Sequence, residues 1–376
     1  MTHPSLEYLL VGCVAAIVTF MLTPLARAIA IRVGAIALPR DRDVHAVAIP
    51  RMGGVALFAG IGLALFVASR LPSLRASFQS GPEMGWVIGA GAIICALGVL
   101  DDKYELDSLT KLAGQVLATG LMVTKGGVQL ADVYVPGIGI VSLGADWGIP
   151  LTILLTLITI NAMNFIDGLD GLAVGVTIIA ASAFFLFSFH LSQQGLYLHA
   201  GAAPTLLAAV LAGACVGFLP HNFYPARLFM GDSGSMLVGL MLSAAAETAT
   251  TAAAPTAISQ GFNSLPFLIP LIPLAVLAVP FIDLLLAVVR RVSKGRSPFA
   301  PDKQHLHHRL LEIGHSQRRA VLLLYFWSAL LAGSMVALSY VHGRWIAVMT
   351  LVGLSFVGVL LAVIPRLRRR HSARRA

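Results

Sequence analysis

The stretch N-A-M-N-F-I-D-G-L-D-G-L-A, Asn161 to Ala173, separates two long apolar runs, Ile149 to Ile160 before it and Leu172 to Phe189 after it. Two asparagines, two aspartates and two glycines stand between segments apolar enough for a lipid bilayer. Glycine supplies positive φ for a tight turn. Acids at a membrane boundary are costly and usually functional. The stretch therefore reads as the junction of two membrane helices, with a polar site at the junction.

Working outward, the rest of the chain agrees. It has 376 residues, 57% hydrophobic and 11% charged, with a mean hydropathy of +0.86. Soluble domains carry about 25% charged residues, and several apolar runs approach or exceed the roughly 18 residues of a membrane span. The fold class is an all-α polytopic membrane protein. Eleven spans are expected, near 6–26, 52–69, 85–100, 108–124, 149–163, 170–190, 201–219, 233–252, 266–289, 320–341 and 345–364. Residues 1–365 form one transmembrane catalytic domain, and 366–376 a basic tail. The first apolar run lacks a basic start and an A-x-A site, so it reads as a retained helix rather than a signal peptide. Cys13, Cys95 and Cys215 lie inside apolar runs and fit neither a zinc site nor a disulfide framework.

Orientation follows from the basic residues. Of the 26 Lys and Arg, 22 fall in alternate connections and the C-terminal tail, and 4 in the other connections. Positive charge marks the cytoplasmic side. The N-terminus is expected outside and the C-terminus inside. The net charge of +9 then belongs to a cytoplasmic membrane face and not to a nucleic-acid surface, and the tail reads as an anchor for anionic lipid.

On that face the acid-rich clusters assemble: Asp101 and Asp102 in G-V-L-D-D-K; Asn164, Asp167 and Asp170 in the opening stretch; Asp232 in M-G-D-S-G-S; and His305, His307, His308 and Arg309 in H-L-H-H-R. Each has a bland reading alone. An Asp pair is often a solvated helix end, Asp232 can be an N-cap, and the histidines can be an interfacial anchor. Their placement on one face favours a divalent-cation site. Oxygen donors point to Mg²⁺ or Mn²⁺. Lys111 can hold a phosphate as a point charge or merely snorkel. Met52 to Gly54 reads as close helix packing rather than a phosphate cradle. The residues alone imply metal-dependent chemistry on a phosphorylated substrate.

The ordered segments H-A-V-A-I-P-R-M-G-G, G-V-L-D-D-K, N-A-M-N-F-I-D-G-L-D-G-L-A, Y-P-A-R-L-F-M-G-D-S-G-S and P-D-K-Q-H-L-H-H-R-L resemble those of the polyprenyl-phosphate N-acetylhexosamine-1-phosphate transferases, glycosyltransferase family 4. The resemblance implies Mg²⁺-dependent transfer of a sugar 1-phosphate from a UDP-sugar to undecaprenyl phosphate, with release of UMP, at the cytoplasmic face of a bacterial inner membrane. H-L-H-H-R and the inside C-terminus resemble the GlcNAc-1-phosphate branch, with UDP-GlcNAc leading and the GalNAc, QuiNAc and FucNAc precursors open. The alternative branch takes UDP-MurNAc-pentapeptide in peptidoglycan synthesis. A secondary transporter is the rival from another class, though no internal repeat is seen.

The resemblance also implies roles. Asp232 and Asn164 ligate metal, and Asp170 reads uracil. Asn222 also holds the nucleotide. Asp167 orients the metal shell, and Lys111 takes a phosphate. His305, His307, His308 and Arg309 grip sugar and diphosphate, and Asp101 and Asp102 activate the lipid phosphate or position metal. His45 is a further site residue, although Ala37 stands where the family often has an acid. Family members are often dimers, and the sequence leaves the oligomeric state open. Two further expectations concern connections. Pro266, Pro270, Pro273 and Pro280 bend the ninth span into a groove for the lipid, and 125–148 forms an external hairpin.

Overall fold

The computed structural model describes residues 4–37, 48–130, 132–135, 139–195, 203–252 and 314–340, with a few isolated positions beyond. His45, His305, His307, His308 and Arg309 lie outside the described residues, as do the ninth and eleventh expected spans.

Nine expected spans appear as helices: α1 (Pro4–Val33), α2 (Gly53–Ala68), α4 (Glu83–Tyr104), α5 (Ser108–Gly126), α6 (Gly144–Ile166), α7 (Leu172–Gln193), α8 (Ala203–Asn222), α9 (Gly231–Ala252) and α10 (Gln317–Tyr340). A single turn, α3 (Ala76–Gln79), precedes α4. Five of them, α1, α4, α6, α7 and α8, are long and apolar enough to cross a membrane, which makes this a multi-pass α-helical membrane protein. Helix α1 runs past its expected end because A-R-A-I-A-I-R keeps helix-forming residues after hydropathy falls. Two small hairpins complete the described elements. β1 (Ile36–Ala37) pairs with β2 (Ile49–Pro50), and β3 (Asp132–Val135) pairs antiparallel with β4 (Gly139–Ser142), the hairpin expected before α6.

Helix α9 is the hub. It packs on α2, α4, α6, α7 and α8, and nearly every residue from Ser233 to Ala249 is buried. Its Ser, Gly, Thr and Ala content suits this place, because small residues let helix backbones approach in a membrane. Gly54 of α2 and Gly98 of α4 both face the backbone at Ser233; a Cβ on Gly98 would stand 2.6 Å from the carbonyl carbon of Asp232. The glycines of Met52 to Gly54 therefore serve packing. Backbone hydrogen bonds fix the same corner: Phe229 donates to the Pro50 carbonyl at 2.9 Å, and Gly53 and Gly54 donate to the carbonyls of Phe229 and Met230 at 3.1 Å. The starts of α2 and α9 and the end of α4 thus meet at one end of the bundle.

Candidate active site

That meeting point gathers the acids. Asp102, in the last turn of α4, accepts from the backbone N–H of Asp232 at 2.8 Å and of Ser233 at 3.2 Å. The first N–H groups of a helix lack internal partners and carry partial positive charge. Asp102 fills that need for α9 from another helix. Gly231 precedes at φ 69°, and a Cβ there would lie 2.5 Å from the Asp102 carboxylate. Only glycine gives both the turn and the room.

With α9 capped by Asp102, the Asp232 side chain is released for other contacts. One oxygen accepts from Asn164 Nδ2 at 2.9 Å. The other pairs with Lys111 Nζ, which also reaches Asp101 at 2.7 Å. The remaining Asp101 oxygen accepts from the Leu106 N–H at 2.8 Å, shaping the turn into α5. Asp107 caps α5 by accepting from Leu109 and Thr110 N–H at 3.0 Å each, which holds Lys111 one turn on. Lys111 is therefore an ion-paired bridge between α4 and α9, neither snorkelling nor free. Asn164 also donates to Ser235 Oγ at 2.8 Å, so its amide nitrogen faces Asp232 and its oxygen turns away.

The opening stretch forms a second wall. Helix α6 ends at Ile166, Asp167 follows, and Gly171 at φ 79° starts α7. Asp170 is buried and accepts from the Ala226 N–H at 2.9 Å. Asn222 is buried too; it accepts from Gly171 N–H at 3.1 Å and donates to the Leu228 carbonyl at 3.0 Å. Both residues tie the 167–171 turn to the 223–230 loop, so Asn222 shapes the wall rather than projecting from it. Tyr325 of α10 donates to the Gly171 carbonyl, and Arg318 donates to the Tyr224 carbonyl at 3.3 Å. Helix α10 is thereby pinned to both loops.

The electrostatics are those of crowded carboxylates. Asp167 is raised from 3.8 to about 7, first by desolvation, then by repulsion from Asp102 and Asp170, with Arg51 opposing. Arg51 was not singled out from sequence. Its signal was a basic residue inside P-R-M-G-G at the entry to α2. Ser235 and Tyr325 were likewise missed, because hydroxyls on apolar helices carry no pattern of their own.

The donor set fits a hard cation. Asp232, Asn164 and Ser235 form one hydrogen-bonded group, and Asp232 shares Lys111 with Asp101; carboxyl, amide and hydroxyl oxygens are donors of the type suited to Mg²⁺ or Mn²⁺. Among the described residues no three His, Cys, Asp or Glu side chains form a ready cage. Mg²⁺ is commonly held by one or two carboxylates plus substrate phosphates.

Fold and site together define a multi-pass membrane protein with an acidic centre at one end of its helix bundle. Residues 84–250, the span that contains every site residue placed above from Asp101 to Asp232, match the model of glycosyl transferase family 4. The chain is 48% identical to the decaprenyl-phosphate N-acetylglucosaminephosphotransferase of Mycobacterium tuberculosis, covering 97% of this chain and 91% of the relative. It is 47% identical to the enzyme of that name from Mycobacterium leprae, covering 98% and 93%. It is 28% identical to the undecaprenyl-phosphate alpha-N-acetylglucosaminyl 1-phosphate transferase of Escherichia coli K12, covering 84% and 80%. The chain belongs to glycosyl transferase family 4.

Proposed function

We propose that the protein transfers N-acetylglucosamine 1-phosphate from UDP-GlcNAc to a polyprenyl phosphate, releasing UMP and starting a cell-envelope glycan. The observation that carries this reading is Asp232. Its backbone is gripped by Asp102, and its carboxylate is set between Lys111 and Asn164, inside a family whose similar members are named for that transfer. The names of the relatives include both decaprenyl and undecaprenyl acceptors, so the acceptor is a polyprenyl phosphate of about that length. The site faces the cytoplasm of a bacterial inner membrane, in a bundle of eleven spans with the N-terminus outside; the skewed Lys and Arg distribution supports this.

Phosphoryl transfer asks mainly for positioning and charge relief. Asp232, with Asn164 turned about its amide or Asp167 one turn beyond Asn164, would hold Mg²⁺ or Mn²⁺, which when bound supplies positive charge against the diphosphate. Lys111 bridges Asp101 and Asp232 and offsets part of their negative charge at the edge of the site. Asp102 holds Asp232 in place through the backbone and is a positioning group. Asp170 and the 223–230 loop form the wall against which the nucleotide lies. The acceptor phosphate is largely ionised at neutral pH, its second pKa being about 6, so direct attack on the sugar-bearing phosphorus needs no strong base. His305, His307, His308 and Arg309 grip sugar and diphosphate, and His45 adds to the first loop.

The test is UMP release by purified protein with undecaprenyl or decaprenyl phosphate, Mg²⁺ and a panel of UDP-sugars. Release with UDP-GlcNAc, abolished by EDTA and lowered at least ~10²-fold in Asp232→Asn, is expected. Release only with UDP-MurNAc-pentapeptide assigns the peptidoglycan branch instead. No release from folded protein with any donor overturns the reading.

A further inference from the structure

Helices α6 and α9 run antiparallel and touch in step. Asn164 meets Ser235 at 2.8 Å, a Cβ on Gly239 would stand 2.7 Å from Ile160 Cα, and Ser243 meets Thr156 at 3.2 Å. Each step of four residues along one helix is matched by four along the other. Between the first two contacts Asn161 donates to Gln115 Oε1 at 2.9 Å, and Gln115 approaches Met236 Sδ at 3.2 Å. A polar seam thus runs from the site into the core of the bundle. It ends at Glu247, which is 4% exposed and accepts from Thr156 Oγ1 at 2.7 Å and Ser243 Oγ at 2.8 Å. Glu247 lies 15 residues from Asp232, about 22 Å along α9 at 1.5 Å per residue, and the transfer chemistry makes no use of it.

A carboxyl group in a membrane-embedded core is an expensive way to join two helices that small residues already pack well. Its physical advantage is directional. Apolar side chains tolerate sliding, whereas a buried polar group satisfied at one register is unsatisfied at the next. We infer that Glu247 is a remote positioning residue: Thr156 of α6 bonds across to Glu247 and Ser243 of α9, Ser243 steadies the carboxyl from the preceding turn of its own helix, and the group locks the register of α6 against α9 and so sets the spacing of Asn164, Ser235 and Asp232 at the active site. A slip of one helical turn, about 5.4 Å, would carry Asp232 away from both Asn164 and Lys111. An amide oxygen can accept the same two hydroxyl bonds, so the role requires an acceptor and not a charge.

The experiment reads register directly, so it stands apart from the proposed reaction, on which only its kinetic arm rests. Asn164→Cys and Ser235→Cys are combined in a background with Cys13, Cys95 and Cys215 replaced. Bridging by mercuric ion is then measured with Glu, Gln or Leu at position 247. Efficient bridging with Glu and Gln and at least a threefold loss with Leu are expected. In parallel, with the native cysteines and site residues in place, E247L should lower kcat at least tenfold while E247Q stays within twofold of the parent. Where E247L fails to fold, Thr156→Val and Ser243→Ala, each removing one donor, should lower bridging together more than singly. Equal bridging with Glu, Gln and Leu, or bridging unchanged in the Thr156→Val/Ser243→Ala pair, overturns the inference. Normal register dependence without UMP release in any variant would count against the reaction alone.

Discussion

Gly98→Ala tests whether the frame of the site is as tight as its geometry implies. The added Cβ would lie 2.6 Å from the carbonyl carbon of Asp232 and closer still to Ser233 Cα, both main-chain atoms with no flexible end to move. Ordinary carbon contacts begin near 3.5 Å, so α4 and α9 must part by about 1 Å. Gly98 is one helical turn before Asp102. The same displacement would stretch the Asp102 bonds to Asp232 N–H and Ser233 N–H, now 2.8 and 3.2 Å, beyond hydrogen-bonding range. Overpacking costs about 1–3 kcal/mol, and weakening two bonds to a carboxylate adds roughly as much again. A total near 3 kcal/mol is expected after partial relaxation. Misplacement by about 1 Å commonly costs ~10² in rate, and this variant should lose that much UMP release while still eluting as folded protein. Gly89→Ala is the control. It lies on the same helix with nothing within 4 Å of its Cβ and should be neutral or stabilising by about 0.5–1 kcal/mol. Gly98→Ala with wild-type melting and rate would refute the reasoning.

Lys111→Ala should leave Asp101 and Asp232 facing each other and lower kcat by roughly 10²–10³, with Lys111→Arg intermediate; equal rates for the three proteins would discount the bridge. Asp167 titrates in the folded protein at about 7 against an ordinary 3.8. The folded state thus holds a proton that the unfolded chain releases. Stability from this group is full below about pH 4 and is lost as pH rises through about 7. In EDTA, melting temperature should fall between pH 5 and pH 8, and Asp167→Asn should flatten that fall; a parallel curve for the mutant contradicts the assignment. Gly175→Ala places a methyl where the Tyr325 ring stands and should free the hydroxyl from Gly171. A raised KM for the UDP-sugar with little change in kcat is expected, and an unchanged KM would separate α10 from nucleotide binding.

Much of the bundle was legible because membrane helices announce themselves by length and hydropathy. The acids were legible because they are rare in such a chain. What the site residues do for one another was not. Asp102 and Asp232 are separated by 130 positions, yet one carboxylate caps the other's helix. No local pattern encodes a cap supplied from a different helix. Asn222 was read as a nucleotide contact, but its tie between two loops, through the Gly171 N–H and the Leu228 carbonyl, was not legible. Asp232 resembled an N-cap, and the structure gives that work to Asp102. Glu247 escaped notice because a single acid in a run of Ala and Thr carries no motif; only the antiparallel register with α6 gives it meaning.

The grip of Asp102 on α9 has a consequence for how the site can change. At position 232 it holds the peptide N–H, and at 233 it holds both the peptide N–H and the serine side chain. Position 232 can therefore carry Glu, Asn, His or Cys without releasing the helix beneath it. Scaffold and reactivity are mechanically separable at this point. A library at 232 would vary the side chain facing Lys111 and Asn164 while the backbone hydrogen bonds beneath it stay the same.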